Sequence, residues 1–343
     1  MKTGVVIDRR YMDHDMGAFH IESPARIEAL LRLLEPEPPL PITRIEPRPA
    51  TDEELGWVHE RGYIDLVRST AGKTVPMDAD TVAGPKTWET ALLAAGGFCE
   101  ALDRIMDGTV PNAVALVRPP GHHAEASRAM GFCFFNNVAV GAEHLLRRHG
   151  LRRLLVVDWD LHHGNGTERT FYERGDVLYF STHQSPFYPG TGTVRFFGHG
   201  EGFGYNLNVP LLAGKGDGDY RHIFDKILAP VAAEFAPEFI LVSAGFDIAA
   251  GDPLGGMAVT SRGFGLLADS LMAMAARSAS GRLAIVLEGG YDLTALRNGV
   301  GQVLERLAGR GAPSVAGPPS ESLRVELEEP LRTFRRKWAI PNS

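Results

Sequence analysis

The sequence has little of several features that would place it in other classes of protein. Only two of its 343 residues are cysteines, Cys99 and Cys133, so it has no disulfide framework and a reducing compartment is expected. No stretch approaches the roughly 18 uncharged apolar residues of a membrane span. The N-terminal segment reaches Asp8 after a very short apolar run, unlike a signal peptide. We therefore predict a soluble, cytoplasmic protein.

Basic charge is also scarce. The chain has 35 Lys and Arg residues against 42 Asp and Glu, which gives a formal net charge of −7. This balance excludes the basic surface typical of nucleic-acid-binding proteins. It is compatible with a cationic substrate but does not select one. No internal repeat is visible, and a hydrophobic content of 44% is ample for a large core.

Short apolar runs alternate with segments of helical periodicity. The runs are rich in Val, Leu and Ile without polar alternation, which predicts strands of a parallel sheet covered on both faces; they span residues 3–8, 112–117, 153–158, 176–181, 239–244 and 283–288. Helices are predicted at 22–34, 136–150 and 219–235, from apolar spacing and capping signals. This alternation is typical of an α/β fold with a parallel sheet.

Two Pro-rich stretches interrupt this pattern. Residues 34–41 are predicted to form a loop between elements, and residues 311–322 a linker to a C-terminal segment. We therefore predict a main domain at 1–310, followed at 311–343 by a linker and a tail. The tail is expected to pack as a terminal helix or to join an oligomer contact. No second domain is apparent.

Titratable residues follow four of the predicted strands. They are His122 and His123 after the second run, Asp158, Asp160, His162 and His163 after the third, Asp247 and Asp252 after the fifth, and Tyr291 after the sixth. The carboxyl ends of parallel strands meet at one edge of a sheet, where ligands bind. We therefore expect these side chains to form one site.

The residue types at this edge favour a metal ion. Asp160 and His162 are two residues apart in an extended segment, so both can face one side. With Asp247 as a third donor, a fourth position stays open for water, as in a catalytic zinc site, although Fe²⁺ or Mn²⁺ would also suit these ligands. Alternatively, the aspartates cap the following turn and the histidines are satisfied at the rim of the core. That alternative could explain one strand end but explains four together poorly.

Five motifs, in this order, resemble the zinc-dependent histone deacetylase superfamily: "RPPGHHA", "GFCFFNN", "DWDLHHGNG", "SAGFDIAAGDPLGG" and "LEGGYDL". That superfamily includes class II histone deacetylases, bacterial histone-deacetylase-like amidohydrolases, acetylpolyamine amidohydrolases and acetoin-utilisation proteins. The resemblance extends over about residues 3–308. It implies the arginase–deacetylase α/β fold, a single domain in which helices flank a central eight-stranded parallel sheet.

The resemblance also implies catalytic roles at the metal. It places one catalytic zinc ion on Asp160, His162 and Asp247, the same three residues that spacing suggests. Zinc acts as a Lewis acid on the substrate carbonyl and lowers the pKa of a bound water. Tyr291, which follows two glycines, would donate its hydroxyl to the developing oxyanion. The alternative for Tyr291 is an ordinary core tyrosine.

Proton transfer would belong to the tandem histidines. By resemblance, His123 is the general base and then the general acid, and His122 acts electrostatically. Asp158 and Asn165 match the positions that orient these two rings. Family members of class I carry Asp where this chain has Asn165, whereas class II and many bacterial members carry Asn. The alternative is a pair of ordinary loop histidines.

A substrate tunnel is implied by Gly131, Phe132 and Tyr188. The two aromatic rings would flank a linear alkyl chain, although core packing is an alternative for Tyr188. In the family, a glutamate after the third zinc ligand can select acetylpolyamines, and this chain has Leu254 there. That difference favours acyl-lysine.

Acidic residues elsewhere could still select a cationic substrate. We name Asp78, Asp80 and Glu22 as candidates for the rim of the tunnel, with solvated surface carboxylates as the alternative. We expect the partner to be an acetylated small molecule or an acyl-lysine peptide, and neither a nucleic acid nor a membrane. A homo-oligomer is left open.

A structural potassium ion is also implied by the resemblance. Its site would comprise Asp158, Asp160, the carbonyl of His162, Ser181 and Thr182. The expected function is thus a zinc-dependent amidohydrolase that removes an acetyl or short acyl group from an acetylpolyamine, another N-acylated amine or acyl-lysine. The alternatives are a binuclear manganese amidinohydrolase of the arginase–agmatinase type and a non-catalytic sensor of acylated ligands.

Overall fold

A computed structural model describes residues 2–34, 40–311 and 316–341. Ten strands lie in these residues: β1 (Thr3–Val6), β2 (Ile42–Ile45), β3 (Val75–Pro76), β4 (Val82–Ala83), β5 (Asn112–Ala115), β6 (Leu154–Asp158), β7 (Val177–Gln184), β8 (Asn206–Leu211), β9 (Phe239–Ala244) and β10 (Leu283–Leu287). Eight of them form one sheet in the order β2-β1-β5-β10-β9-β6-β7-β8, and every pairing in it is parallel. The α/β fold with an eight-stranded parallel sheet is therefore confirmed.

The helices flank this sheet. They are α1 (Ala25–Leu34), α2 (Asp52–Gly56), α3 (Arg61–Arg68), α4 (Thr87–Met106), α5 (Asn137–Arg148), α6 (Asn165–Phe171), α7 (Asp217–Ile223), α8 (Ala229–Phe235), α9 (Ser261–Ser278), α10 (Leu293–Leu307), α11 (Glu321–Glu326) and α12 (Glu328–Phe334). Helices α1, α7, α8, α9 and α10 pack in one group, and α2 to α6 in another. The central strands β5, β6, β9 and β10 are buried along their whole length, as their continuous apolar runs require.

All six predicted strands are present, but four others were missed. The two edge strands, β2 and β8, lack the continuous apolar run of a central strand. β2 has a half-exposed pattern, and β8 contains two asparagines and Pro210, a residue that sheets tolerate mainly at edges. β3 and β4 form a separate antiparallel hairpin in which each strand has two residues. Strands of this length are too short for periodicity to predict.

The predicted helix at 219–235 is divided into three consecutive segments. A π-helical turn, Phe224–Leu228, joins α7 to α8. Pro230 lies in the first turn of α8 and lacks the N–H that would bond back along the helix. A wider turn before it accommodates this missing donor.

The C-terminal segment contains the short helices α11 and α12. It lies against the main body, because the Trp338 indole N–H donates to the Gly204 carbonyl at 2.7 Å and Lys215 pairs with Glu326 at 2.7 Å. Most of the predicted loop at 34–41 and part of the predicted linker, 312–315, lie outside the described residues. The division at residue 310 stays a prediction. Across the described ranges, every helix is too short or too polar to cross a bilayer.

Candidate active site

The order of the strands explains why the polar strand ends meet. β5, β10, β9 and β6 are neighbours at the centre of the sheet, and each leads into a segment that carries titratable residues. All four point the same way, so their carboxyl ends lie along one edge. The predicted convergence is therefore present in the fold.

Three potential metal ligands lie together at this edge. Donor atoms of Asp160, His162 and Asp247 are all within 4.8 Å of one another, and all three residues are buried. His162 Nδ1 is 3.1 Å from an Asp160 oxygen and 3.3 Å from Asp247 Oδ2. The structure thus brings together the three residues that the sequence singled out.

This cluster fits a divalent cation. Asp247 Oδ2 is buried and has no hydrogen-bond partner, which is costly for a carboxylate oxygen. Burial and the nearby Asp160 carboxylate raise the pKa of Asp247 to about 7. Two buried carboxylates and one imidazole this close together form a set of ligands that zinc accepts.

Backbone groups hold both carboxylates in place. The N–H of Gly289 donates to Asp160 at 2.8 Å, and that of Leu161 donates to Asp247 at 3.0 Å. A Cβ at Gly289 would come within 2.1 Å of Asp247 Oδ2. The glycine after β10 is therefore required for the close approach of this loop to the metal ligands.

The tandem histidines each have a different partner. His122 Nδ1 lies 3.0 Å from Asp158 Oδ2, and His123 Nδ1 lies 2.8 Å from the amide oxygen of Asn165. An amide oxygen only accepts, so His123 Nδ1 carries a proton and its Nε2 is the free acceptor. The predicted pairing of the two rings with Asp158 and Asn165 is present.

These partners set opposite protonation tendencies. Burial disfavours the charged form of His122, but the carboxylates of Asp158 and Asp160 outweigh it and raise its pKa to about 10. Burial holds the pKa of His123 well below its usual range, and the neighbouring His122 and His162 act in the same direction. One ring therefore favours the cation and its neighbour the neutral base.

Tyr291 is held in position by hydrogen bonds to its backbone. The carboxylate of Asp252 accepts hydrogen bonds from the N–H groups of Tyr291 at 2.7 Å, Asp292 at 3.0 Å and Leu254 at 3.0 Å. The Arg26 guanidinium lies 5.1 Å from the centre of the Tyr291 ring. Asp252 thus fixes the segment that carries the tyrosine.

A cavity of about 240 Å³ opens onto these groups. Its lining includes His122, His123, Asp160, His162 and Tyr291 near the metal cluster, and Gly131, Phe132, Phe187, Tyr188 and Leu254 along the walls. All four predicted tunnel residues therefore line one space. Phe187 was missed, because an aromatic residue in a loop carries no periodic signal.

The acidic residues proposed for the rim have different positions. Asp80 lines the cavity and is exposed, and Asp78 is partly buried nearby in the chain. The expectation for Glu22 is wrong, because Glu22 is fully buried. Its carboxylate pairs with Arg118 at 2.7 Å and with Arg26 at 3.1 Å.

Two further buried residues support the site and were not predicted. Arg26 donates to the carbonyls of Gly290 at 2.8 Å and Glu288 at 2.5 Å. The Glu288 carboxylate accepts from the N–H groups of Gly121 at 2.6 Å and His122 at 3.2 Å. Glu288 ends the run predicted as a strand at 283–288, so its charge at the end of that run was the available signal.

Three of the candidate potassium ligands, Asp158, Ser181 and Thr182, lie on neighbouring strands. Asp158 in β6 pairs with Ser181 in β7 across the sheet, and Ser181 and Thr182 are fully buried. The Thr182 hydroxyl has no hydrogen-bond partner. An oxygen-rich group of this kind fits a hard cation.

The sequence and the fold are similar to those of known deacetylases. The family described as histone deacetylase domain matches residues 20–307. The chain is 40% identical over 296 residues to a probable deacetylase of Archaeoglobus fulgidus, covering 85% of this chain and 82% of that protein. It is 42% identical to the human polyamine deacetylase HDAC10, covering 93% of this chain but only 49% of the human protein.

A bacterial relative and a solved structure agree with this placement. The chain is 39% identical to the histone deacetylase-like amidohydrolase of Pseudomonas aeruginosa, covering 93% of this chain and 84% of that protein. The crystal structure of the HDA15 HD domain has a TM-score of 0.92 and 36% identity, covering 98% of this chain and 97% of the other. The chain therefore belongs to the histone deacetylase family.

Proposed function

We propose that this protein is a zinc-dependent amidohydrolase that removes an acetyl or short acyl group from an N-acylated amine. One observation carries the proposal: two of the three clustered metal donors, Asp160 and His162, border the same cavity as the histidine pair and Tyr291. Relatives named deacetylases and amidohydrolases support the same reaction class. Zinc held by Asp160, His162 and Asp247 would polarise the substrate carbonyl and lower the pKa of a water.

The residues around the metal supply the proton transfers. His123, with its Nδ1 proton held by Asn165, presents Nε2 as the base that deprotonates the attacking water. The same nitrogen then returns the proton to the leaving amine. Because the same ring takes the proton from water and gives it to the amine, the reaction requires no other acid.

Charge development is stabilised from two sides. The Nδ1–H group of His122 donates a hydrogen bond to Asp158. The protonated His122 ring supplies positive charge beside the reacting centre. The Tyr291 hydroxyl donates to the oxygen of the substrate carbonyl as negative charge accumulates on it. Backbone bonds to Asp252 hold the tyrosine in position before substrate arrives, so little reorganisation is required.

The walls of the cavity favour a linear chain that ends in an amine. Gly131, Phe132, Phe187 and Tyr188 provide an apolar slot suited to the methylenes of a lysine side chain. Leu254 at the same cavity adds no charge, which favours acyl-lysine over a free polyamine. The exposed Asp80 carboxylate is the feature that would favour a cation instead.

The carboxylates near the metal support one ion rather than two. A binuclear amidinohydrolase requires further bridging carboxylates. In this structure Asp158 is engaged by His122 and by the Tyr179 hydroxyl at 3.0 Å. Asp252 is engaged by three backbone N–H groups. Neither is therefore placed to bridge a second divalent ion to the cluster of Asp160, His162 and Asp247.

Several accompanying expectations stay proposals. We propose that potassium binds Asp158, Asp160, the His162 carbonyl, Ser181 and Thr182 as a structural ion. We also propose that residues 1–310 form the catalytic domain and 311–343 a linker and tail, and that the protein works in the cytoplasm. The buried, unpartnered Thr182 hydroxyl supports the first of these.

The deciding experiment compares two substrates on the zinc-loaded protein. We expect measurable kcat/KM for an acetyl-lysine peptide, a lower value for N-acetylputrescine, and inhibition by hydroxamates, which chelate the metal. A preference for the polyamine would keep the reaction class and reverse the substrate assignment. Full zinc occupancy without turnover of either substrate would contradict the amidohydrolase and favour a sensor.

A further inference from the structure

A second cluster of metal-binding side chains lies at the opposite end of α5. The N-terminus of α5 contacts the active-site loop, because Asn137 Nδ2 donates to the Pro119 carbonyl at 3.1 Å. The helix has 12 residues, so its C-terminus lies about 18 Å away. There His144 and His149 meet Asp103 of α4.

Both imidazoles point at one carboxylate oxygen. His144 Nε2 and His149 Nε2 each lie 2.7 Å from Asp103 Oδ1. The donor atoms of all three residues are within 4.8 Å of one another. In a tetrahedral zinc site, bonds of about 2.0 Å place the ligand atoms roughly 3.3 Å apart. Small side-chain rotations would therefore bring these atoms around one ion.

The opposite nitrogen of His144 faces a second carboxylate. His144 Nδ1 is buried without a hydrogen bond and lies 3.3 Å from Glu54 Oε1. In a neutral ring, only one nitrogen carries a proton, so the other turns its lone pair toward a carboxylate. A cation at Nε2 removes this conflict, because Nδ1 can then donate to Glu54.

The Glu54 carboxylate is held in a fixed position, as an acceptor for the His144 Nδ1–H group should be. Arg48 holds its carboxylate at 2.6 and 2.9 Å, and the Thr51 N–H donates to it at 2.8 Å. Histidine ligands of metals commonly donate their second N–H to a carboxylate held in this way. The carboxylate–histidine arrangement is thus already assembled.

We propose that Asp103, His144 and His149 bind a divalent transition-metal ion of the zinc class, separate from the catalytic ion. Two imidazoles and one carboxylate suit this class. The side chains of Asp103 and His149 are 32% and 24% exposed, so the ion can enter and water can occupy the remaining position. The ion would link α4 to α5 and stabilise their packing.

The competing account is a network of ion pairs in which a proton replaces the metal. Arg48 is 4.0 Å from Asp103 Oδ2, and its charge would weaken metal binding. Metal and proton compete for the same imidazole nitrogens, so the two accounts differ in the metal content of the folded protein.

Metal content of the tag-free protein tests the proposal. Wild type, His149→Gln and the control His199→Gln are dialysed against buffered free Zn²⁺ at about pH 7.5, and bound zinc is counted by mass spectrometry. His199 is an exposed histidine paired with Glu173 and serves as the matched control. We expect two equivalents of zinc for wild type and His199→Gln, and one for His149→Gln.

A second measurement separates this site from the catalytic one. In a His162→Ala background, added Zn²⁺ should raise the thermal midpoint, and adding His149→Gln should abolish that rise. Asp103→Asn should abolish it as well, because the shared oxygen is lost as an anionic ligand. A single zinc equivalent in wild type, or two in His149→Gln, would overturn the proposal.

Discussion

The strand-end donor cluster and the cluster at the C-terminus of α5 use similar side chains in different surroundings. The strand-end cluster has two carboxylates and one imidazole, is buried, and borders a cavity. The cluster at the C-terminus of α5 has two imidazoles and one carboxylate, and two of its members are partly exposed. Both contain a buried polar atom without a hydrogen bond, Asp247 Oδ2 in one and His144 Nδ1 in the other.

The difference indicates what distinguishes the proposed catalytic site from a set of metal ligands alone. Around Asp160, His162 and Asp247, other strand ends add the proposed base, its partner and a phenol. Around Asp103, His144 and His149, the additional groups are Glu54 and Arg48, which fix the ligands. Under the proposals made above, the first arrangement acts on a substrate, whereas the second only holds an ion.

The largest expected effect is on kcat, which should fall only when the site at the strand ends is changed. His123→Ala removes the proposed base and should lower kcat by about 10³-fold, within the range for general acid–base catalysis. Its zinc content should be unchanged, because His123 is not a ligand. His149→Gln should change kcat by less than about twofold. Steady-state kinetics and zinc analysis of both variants check this. An unchanged kcat in His123→Ala would show that His123 is not the general base.

The buried Glu22 cluster sharpens the comparison, because arginines supply its positive charge. Glu22→Gln leaves Arg26 and Arg118 buried without their carboxylate, so it should lower the free energy of unfolding by about 3 kcal/mol, as for other broken buried pairs. Urea unfolding at pH 7 measures the loss. Thermal midpoints within 1–2 °C of wild type would show that the pair contributes little to stability.

The same residue predicts a pH dependence. Burial alone would raise the pKa of Glu22, but Arg118 and its neighbours outweigh burial and hold the pKa well below its usual range. The native carboxyl therefore binds a proton less readily than the unfolded one, whose pKa is about 4.3. Its stabilising contribution is full above that pH and is lost as the pH falls below it. The stability difference between wild type and Glu22→Gln should thus shrink below about pH 4.

Tyr291→Phe tests whether the phenol takes part in the chemistry. Loss of one oxyanion donor should lower kcat by about 10²-fold, with zinc content and thermal midpoint unchanged. Single-turnover kinetics on an acetyl-lysine peptide and a melting curve measure the two effects. An intact kcat with a lower midpoint would instead identify Tyr291 as a packing residue.

The smallest expected effect concerns the choice of substrate. Leu254→Glu places a carboxylate at the cavity beside Asp80 and should favour cationic N-acetylputrescine over an acetyl-lysine peptide by about tenfold. One added charge contact is worth about this much in discrimination. Leu254→Gln is the matched control for size without charge. Equal ratios in both variants would show that charge at this position does not select the amine.

Much of the site was predictable because it depends on strand ends. Asp160, His162, Asp247, His123 and Tyr291 each follow an apolar run, and parallel strands bring such residues to one edge. The order of the strands was not predictable from periodicity. It is the adjacency of β5, β10, β9 and β6 that places these residues at the same point of that edge.

Residues that act through distant partners could not be identified from the chain alone. Glu22 was expected at the rim because an acidic residue near the N-terminus has no visible partner, yet Arg118 meets it from 96 positions away. Asp103 and His144 are 41 positions apart, and no local pattern connects them. Only tertiary packing decides which of such groups are enclosed together.

The sequence by itself determined the fold class and the residue types at the catalytic edge, since both follow from local runs and the residues that end them. The tertiary structure decided which carboxylates are paired with arginines and which face another carboxylate or an imidazole. That distinction depends on burial and on contacts between distant segments. It separates Glu22, whose charge is balanced by arginines, from Asp247 and His144, each of which has a buried polar atom without a hydrogen-bond partner.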